Sequence, residues 1–281
     1  MNRRIIASFL SVLMLISNVY AIPRVKETSG DNLPTAVKES QWKGKKVAFL
    51  GDSITDKKRI GTDKCYWEYL AEMLGFTPYV YGINGNQWNK ILDQAKKLYE
   101  ERGTDIDAIF IFAGTNDYNA GVVPGEWYTE GAEVTQVKNG NMETRRLRHF
   151  CMTDSTFKGR INRAMDYLKS HFPTKQIILM TPIHRAYAKF GEVNVQPAEV
   201  YANKLGIYVE EYVRIVKEAG NVWAVPVIDL NSISGLYPVN DAHAQYFHDG
   251  ATDRLHPNAL GHKRMATAIM YQMLAMPASF E

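Results

Sequence analysis

Apolar runs and amphipathic segments alternate along the chain from residue 45 onward. Runs that are apolar nearly throughout are typical of strands buried on both faces of a sheet. The predicted strands are residues 45–50, 79–81, 108–112, 176–180 and 221–228. Apolar residues spaced three and four apart predict helices between these strands. The predicted helices are residues 68–74, 88–101, 155–171, 205–219 and 257–276, with Pro257 in the first turn of the last one.

This order of elements predicts the α/β class, as a three-layer α/β/α sandwich around a mostly parallel central sheet. In such a sheet, ligands bind at the carboxyl ends of the strands. Residues 118–154, between the third strand and the next helix, follow neither pattern and are predicted to be an irregular insertion. Loops this long in compact domains are usually functional or mobile, so we expect the insertion to wall the binding cleft.

The first 21 residues have the three parts of a secretory signal peptide. Two arginines precede an apolar run over residues 5–16, and VYA at residues 19–21 fits a signal-peptidase site. We predict cleavage after Ala21, a secreted or periplasmic location, and no stable membrane anchor afterwards. An uncleaved anchor is the alternative, although the run is shorter than the ~20 apolar residues that a spanning helix needs.

The remaining composition fits one domain. Of the 281 residues, 46% are apolar, which suffices for one large core over residues 45–281, preceded by an N-terminal extension at 22–44. Because the signal peptide removes two arginines, the 33 basic residues become 31 against 30 acidic ones. This balance, without a basic run interleaved with aromatic residues, gives no indication of nucleic acid binding. Cys65 and Cys151 are compatible with a disulfide or with two free thiols.

Three polar motifs lie where chemistry is expected. GDSIT (residues 51–55) follows the first strand, GTND (114–117) follows the strand at 108–112, and DRLHPN (253–258) precedes the last helix. Each motif alone has a structural explanation as a helix cap or a turn. A carboxylate three residues before an imidazole can also hold one ring nitrogen and leave the other free to accept a proton from a serine.

Together, the order and placement of these motifs resemble the SGNH (GDSL-type) hydrolase family, over nearly all of the mature chain. The resemblance implies a flavodoxin-like three-layer fold and a serine esterase that works through an acyl-enzyme intermediate, without a cofactor or metal. It implies that Ser53 is the nucleophile, that His256 is the base, and that Asp253 is the partner of His256.

The resemblance also implies an oxyanion hole. Its donors would be the backbone N–H of Ser53, the side-chain amide of Asn116 and the backbone N–H of a glycine. We place this glycine at Gly85. Asn84 stands where the family often has serine, and because of this departure from the family pattern Gly82 is the alternative.

The substrate is less defined by the sequence. His184 and Arg185 follow the strand at 176–180, and Trp127 lies in the insertion, so all three are candidate substrate contacts. The alternatives are ordinary loop positions for His184 and Arg185 and a role for Trp127 in anchoring the insertion to the core. Because no apolar lid helix is evident, we expect a short-acyl esterase, such as one that removes acetyl groups from carbohydrate. A lipase or lysophospholipase, and a non-catalytic carbohydrate-binding protein on the same fold, are the alternatives.

A cluster of acidic and histidine residues precedes the DRLHPN motif. It consists of Asp241, His243, His248 and Asp249. Their spacing matches no standard pattern of metal ligands, so we predict no metal site and interpret them as loop polarity or substrate contacts.

Overall fold

A five-stranded parallel sheet forms the centre of the protein, whose structure, a computed structural model, describes residues 40–280. Numbered in chain order, its strands are β1 (Lys46–Gly51), β2 (Thr77–Val80), β3 (Ala108–Phe112), β6 (Gln176–Met180) and β9 (Val227–Ile228). They lie in the order β2-β1-β3-β6-β9, and each neighbouring pair is parallel. Their carboxyl ends therefore lie at one edge of the sheet, which we call the carboxyl edge.

Helices cover both faces of this sheet. One face packs against α1 (Tyr66–Leu74) and α7 (Ala259–Leu274), and the other against α2 (Trp88–Arg102), α4 (Phe157–His171) and α5 (Val209–Trp223). Two short helices, α3 (Thr115–Ala120) and α6 (Leu230–Ile233), follow β3 and β9. The predicted three-layer sandwich is therefore confirmed.

Alternation along the buried strands divides the core into its two halves. Ala108 and Phe110 of β3 pack toward α1 and α7, whereas Ile109 and Ile111 pack toward α2, α4 and α5. All four side chains are fully buried, because successive residues of a strand point to opposite faces and both faces are covered. This explains why the strands are apolar throughout.

A second, small antiparallel sheet lies beyond the carboxyl edge. Its strands are β7 (Ala188–Lys189), β8 (Val195–Gln196), β10 (Phe247–Asp249) and β11 (Asp253–Pro257), in the order β10-β11-β7-β8. The predicted position of Pro257 in the last helix is wrong, because Pro257 ends β11 opposite Phe247. The helix begins at Ala259 instead, since the side chain of Asn258 accepts the N–H groups of Leu260 and Gly261.

The insertion is a regular hairpin rather than an irregular loop. Its strands, β4 (Tyr128–Gln136) and β5 (Met142–Phe150), pair antiparallel without a register shift. Almost all of its side chains are exposed on both faces. A strand without a buried face lacks the apolar alternation by which strands are recognised in a sequence. The prediction of an irregular segment is wrong for that reason.

The base of the hairpin lies away from the cleft that the insertion was expected to wall. Phe150 stacks on Trp223 in the last turn of α5, with ring centroids 4.5 Å apart. Because α5 connects the parallel strands β6 and β9, it runs antiparallel to them, and its last turn lies toward their amino ends. The base of the hairpin therefore lies toward the edge of the sheet opposite the carboxyl edge.

Two element boundaries near α5 also differ from the prediction. The helix runs to Trp223, whose buried indole donates to Oδ1 of Asn162 at 3.1 Å, and this leaves only Val227–Ile228 of the predicted strand at 221–228. The predicted signal peptide and residues 22–39 lie outside the described part of the chain. Over residues 40–280, no helix has both the length and the apolar character needed to cross a membrane.

His262 of α7 is a fully buried histidine at the interface with α1. Its Nδ1 accepts the backbone N–H of Tyr66 at 3.1 Å, and the two rings lie 6.1 Å apart and nearly parallel. A ring nitrogen that accepts a hydrogen bond carries no proton, so this imidazole is neutral. Burial, with a smaller contribution from the charge of His256, lowers the pKa of His262 to about 3.

We predict that His262 makes folding sensitive to mild acid. Its pKa is about 3 in the folded protein and about 6.5 in an unfolded chain, so the unfolded chain binds an additional proton between these values. The stability difference between wild type and His262→Asn should therefore be greatest above pH 6.5. It should fall by about 1.4 kcal/mol per pH unit as the pH drops toward 3.

Urea unfolding at a series of pH values measures this difference. The exposed His149 provides the control, since His149→Asn should show no comparable slope. A difference between wild type and His262→Asn that stays constant from pH 7 to pH 4 would contradict the neutral, buried state of His262.

Candidate active site

Ser53, His256 and Asp253 form a continuous chain of hydrogen bonds at the carboxyl edge, and we call these three residues the triad. Nε2 of His256 lies 2.9 Å from Oγ of Ser53, and Nδ1 lies 2.9 Å from Oδ2 of Asp253. Each of the three residues is only 4% exposed. Because a carboxylate only accepts hydrogen bonds, Nδ1 carries the proton of the neutral ring. Nε2 is then free to accept the hydroxyl proton of Ser53.

A sharp turn after β1 gives Ser53 its position. A Cβ atom on Gly51 would lie 2.5 Å from the carbonyl oxygen of Phe112 and 2.6 Å from Oγ1 of Thr55, so only glycine fits there. Asp52 closes the turn by accepting backbone N–H groups through its side chain and its carbonyl, both at 3.1 Å. Ser53 therefore stands between β2 and β3, where the strand order reverses and ligands bind in open α/β sheets.

The turn at residues 82–86 lies beside the end of β1. The N–H of Ile83 donates to the carbonyl of Gly51 at 3.1 Å, and the N–H of Tyr81 donates to Phe49 at 2.9 Å. Since N–H groups alternate in direction along an extended segment, the N–H of Gly82 between them points away from β1. Gly85 has a left-handed φ of 78°, which favours glycine. The geometry therefore favours Gly85 over Gly82.

Three N–H donors remain free near this turn. Nδ2 of Asn116 donates to the carbonyl of Asn86 at 3.0 Å, which leaves the second hydrogen of the amide available. Within residues 40–280, the backbone N–H groups of Ser53 and Gly85 donate to no protein acceptor. Unused N–H donors at the carboxyl edge, where Ser53 also stands, are suited to an anionic oxygen that forms during reaction.

Asp117 joins the two segments that carry Gly85 and Asn116. Its carboxylate accepts the backbone N–H of Trp88, the first residue of α2, at 3.0 Å, and Nη1 of Arg160 at 2.8 Å. Burial raises the pKa of Asp117 to about 6. Asp117 therefore fixes the GTND turn relative to the turn at residues 82–86.

Arg185 is completely buried and does not reach the cleft, which corrects the expectation that it contacts substrate. Its Nη1 donates to the carbonyl of Thr115 at 3.1 Å and to the hydroxyl of Thr115 at 2.9 Å, and its Nη2 donates to Gln196 at 2.6 Å. Burial lowers the pKa of Arg185 to about 10, so the guanidinium stays charged at neutral pH. Its role is to hold the turn next to Asn116.

Trp127 is also buried away from the cleft, and its assignment as a substrate contact is wrong for the same reason. Its indole donates to Glu218 of α5 at 3.2 Å, and its carbonyl accepts Nδ2 of Asn162 of α4 at 2.9 Å. Trp127 thus fastens the base of the hairpin to the helical layer.

His184, by contrast, remains partly exposed at the carboxyl edge. Its Nδ1 lies 2.6 Å from Oε1 of Glu199, whose other oxygen accepts the backbone N–H of Arg185 at 2.8 Å. The hydrogen bond with Glu199 raises the pKa of His184. His184 therefore remains a candidate substrate contact.

Two residues near the triad were not identified from the sequence as part of it. The exposed ring of Phe190 lies 5.3 Å from the ring of His256, measured between centroids. Nδ1 of His248 lies 3.0 Å from the same Asp253 oxygen that His256 contacts. His248 is therefore more than a polar loop residue, because it contacts the carboxylate of the triad. Nothing in the local sequence indicates that Phe190 lies near His256.

The acidic and histidine cluster before the DRLHPN motif does not come together as a metal site. Asp241 pairs with Arg254 at 2.7 Å, and Asp249 accepts two backbone N–H groups at 2.8 Å. In the part of the chain that the structure describes, no group of three or more potential ligands could hold a metal ion. Cys65 and Cys151 are both free thiols.

Comparisons with known proteins agree with this fold. Residues 49–264 match the GDSL-like Lipase/Acylhydrolase family. A protein from Lactobacillus plantarum is 24% identical with a TM-score of 0.63, covering 82% of this chain and 96% of its own. A possible lipase from Chitinophaga pinensis is 20% identical with a TM-score of 0.59, and the match covers 81% of this chain and 97% of the lipase. A lipase/acylhydrolase from Enterococcus faecalis is 18% identical with a TM-score of 0.50, and the match covers 83% of this chain and 98% of that protein. A search of curated proteins returned no match.

The matched segment contains all three motifs and the whole parallel sheet except for the first three residues of β1. The chain therefore belongs to the GDSL-like lipase/acylhydrolase family, the SGNH hydrolases, and its class is that of an ester hydrolase.

Proposed function

We propose that this protein is a serine esterase in which Ser53 forms a covalent acyl-enzyme. The observation that carries the proposal is the line of hydrogen bonds from Ser53 through His256 to Asp253, with both joining distances at 2.9 Å. A serine hydroxyl is a weak nucleophile, and an adjacent base held by a carboxylate activates it.

The residues would act in two half-reactions. Nε2 of His256 takes the proton of Ser53 while Oγ attacks the ester carbonyl carbon, and Asp253 stabilises the imidazolium. The anionic oxygen accepts hydrogen bonds from the N–H groups of Ser53 and Gly85 and from the amide of Asn116. Collapse breaks the bond to the alcohol oxygen, which takes the proton from His256. Water then repeats the sequence on the acyl-enzyme and releases the acid.

A short acyl group is the proposed acyl part of the ester. The support is the sequence, in which no apolar lid helix is evident near the motifs. The small apolar cavity lined by Ile54, Phe112 and Ile183, about 10 Å³ or roughly the room for one water molecule, does not include Ser53 in its lining.

A carbohydrate fits the larger groove on the other side of the turn at residues 82–86. This groove has a volume of about 780 Å³ and begins at Ile83 and Asn86, next to the oxyanion donors. It continues along β2, the edge strand of the sheet, past Trp67, Tyr79 and Tyr81. Trp67 is partly exposed there, and an aromatic ring provides a flat apolar face with which a sugar ring can make contact. We therefore propose a glycan ester as the substrate, and on the pattern of residues 1–21 a secreted or periplasmic location.

We predict different losses for the nucleophile and an oxyanion donor. Ser53→Ala should lower kcat by about a million-fold, whereas Asn116→Ala should lower it by about a hundred- to a thousand-fold with KM nearly unchanged. The smaller loss is expected because the amide binds a charge that exists only in the transition state. Steady-state hydrolysis of p-nitrophenyl acetate measures both, with the exposed Asn221→Ala on α5 as the control.

An Asn116→Ala variant with raised KM and unchanged kcat would contradict the oxyanion assignment. Full activity of Ser53→Ala would exclude Ser53 as the nucleophile. Absence of ester hydrolysis by the wild type would instead favour the non-catalytic carbohydrate-binding alternative.

For the groove, we predict that Trp67→Ala raises KM for an acetylated glycan by about tenfold, since removing an aromatic contact of about 1.4 kcal/mol has that effect. The KM for p-nitrophenyl acetate should change much less, because that ester does not fill the groove and is affected only through the hydrogen bond from the Trp67 indole to the carbonyl of Thr55 at 3.1 Å. Trp67→Phe, which keeps an aromatic face, should restore most of the loss. Tyr271→Ala on the exposed face of α7 is the matched control.

Equal effects of Trp67→Ala on both esters would contradict a glycan role for the groove. Faster hydrolysis of long-chain than of acetyl esters by the wild type would favour the lipase alternative.

A further inference from the structure

His248 is a second histidine in contact with Asp253, the carboxylate of the triad. It lies in β10, which pairs antiparallel with β11 so that Asp249 stands opposite Asp253. Nδ1 of His248 lies 3.0 Å from Oδ2 of Asp253, and Nδ1 of His256 lies 2.9 Å from the same oxygen. The side chain of His248 is 55% exposed, whereas that of His256 is 5% exposed. One oxygen therefore contacts a buried imidazole and a solvent-facing imidazole.

The carboxylate fixes the protonation of both rings at this contact. Asp253 accepts four hydrogen bonds, two from ring nitrogens at Oδ2 and two from backbone N–H groups at Oδ1. Because a carboxylate has no proton to give, Nδ1 of His248 must carry one. Nε2 of His248 has no hydrogen-bond partner within residues 40–280, so it can take a proton from solvent and make the ring cationic.

Most of the other charged groups around His248 are engaged with partners of their own. On its own strand, the carboxylate of Asp249 accepts the backbone N–H groups of residues 251 and 252 at 2.8 Å. Across the adjoining groove, which also contains Asp63, Arg59 is engaged with Glu68 at 2.5 Å. On β11, the titratable groups near His248 are Asp253 and His256, while Arg254 is engaged with Asp241 at 2.7 Å.

The electrostatics of Asp253 reflect both imidazoles. Burial by itself raises the pKa of Asp253, but the hydrogen bonds and charge of His256, together with the hydrogen bond from His248, outweigh it and hold the pKa below its usual value. The carboxylate therefore stays ionised, and its negative charge is divided between two donors.

We propose that His248 is a positioning residue that holds Asp253 and sets how readily His256 takes up a proton. The proposal rests on the esterase mechanism above. A neutral His248 withdraws negative charge from Asp253, which weakens the stabilisation of an imidazolium at His256. A cationic His248 opposes that imidazolium more strongly. With His248 in either state, His256 stays neutral and able to accept a proton at lower pH than it would if it were the only histidine in contact with Asp253.

Two variants separate these contributions. His248→Ala removes the hydrogen bond and the charge, whereas His248→Asn places a neutral amide donor near the position of Nδ1. We expect the acid limb of kcat/KM for p-nitrophenyl acetate to move up by about 0.5 to 1 pH unit in His248→Ala. The shift in His248→Asn should be smaller. His243→Ala, in the neighbouring 3-10 segment Asp241–Tyr246, is the control and should leave the limb in place.

A second readout needs no catalysis. In Ser53→Ala protein labelled with 13C-histidine, the ring signal of His256 is followed by NMR against pH, with and without His248→Ala. We expect the midpoint of the His256 titration to move up by the same amount as the acid limb. An unchanged midpoint, or a downward shift, would overturn the proposal. Absence of ester hydrolysis would instead refute the proposed function, since the NMR titration measures the coupling by itself.

Discussion

The hydrogen bond between Ser53 and His256 joins two parts of the fold that lie 203 residues apart in the chain. One end depends on the main sheet, which fixes the turn after β1. The other end depends on the small antiparallel sheet, where β11 is paired with β10 and β7. The side chain of Asn258 secures β11 further by donating to the carbonyls of Gln245 and Phe247 at 2.9 and 3.0 Å. Catalysis of the proposed kind requires both ends to be held before substrate binds.

Buried charges next to the triad serve geometry more than stability. Replacing a buried ion pair with apolar residues is often neutral or stabilising, so the ion pair of Asp117 and Arg160 is weak evidence for a gain in folding stability. Each charged group does, however, hold a backbone segment. Asp117 holds the start of α2, and Arg185 holds the turn at Thr115. The two turns that carry the oxyanion donors are thereby fixed relative to each other.

The sequence predicted the parallel sheet well because its strands are buried on both faces and therefore apolar throughout. The carboxyl-edge rule then brought Ser53 and Asn116 together, and the spacing of Asp253 and His256 predicted their hydrogen bond. The hairpin at 128–150 was not predicted as strands, because neither of its faces is buried. Arg185 and Trp127 were misassigned because residue type does not reveal which side of a loop faces the core. The contact of His248 depends on the pairing of β10 with β11, which no local pattern specifies.

Peptide mapping of a covalent adduct tests the central claim most directly. The protein would be incubated with a fluorophosphonate, and intact mass followed by peptide analysis would count and locate the modification. The account predicts a single adduct on Ser53 that forms much more slowly in His256→Asn, because the hydroxyl then lacks its base. An unmodified protein, or an adduct on another residue with Ser53 unmodified, would contradict the assignment of Ser53 as the nucleophile.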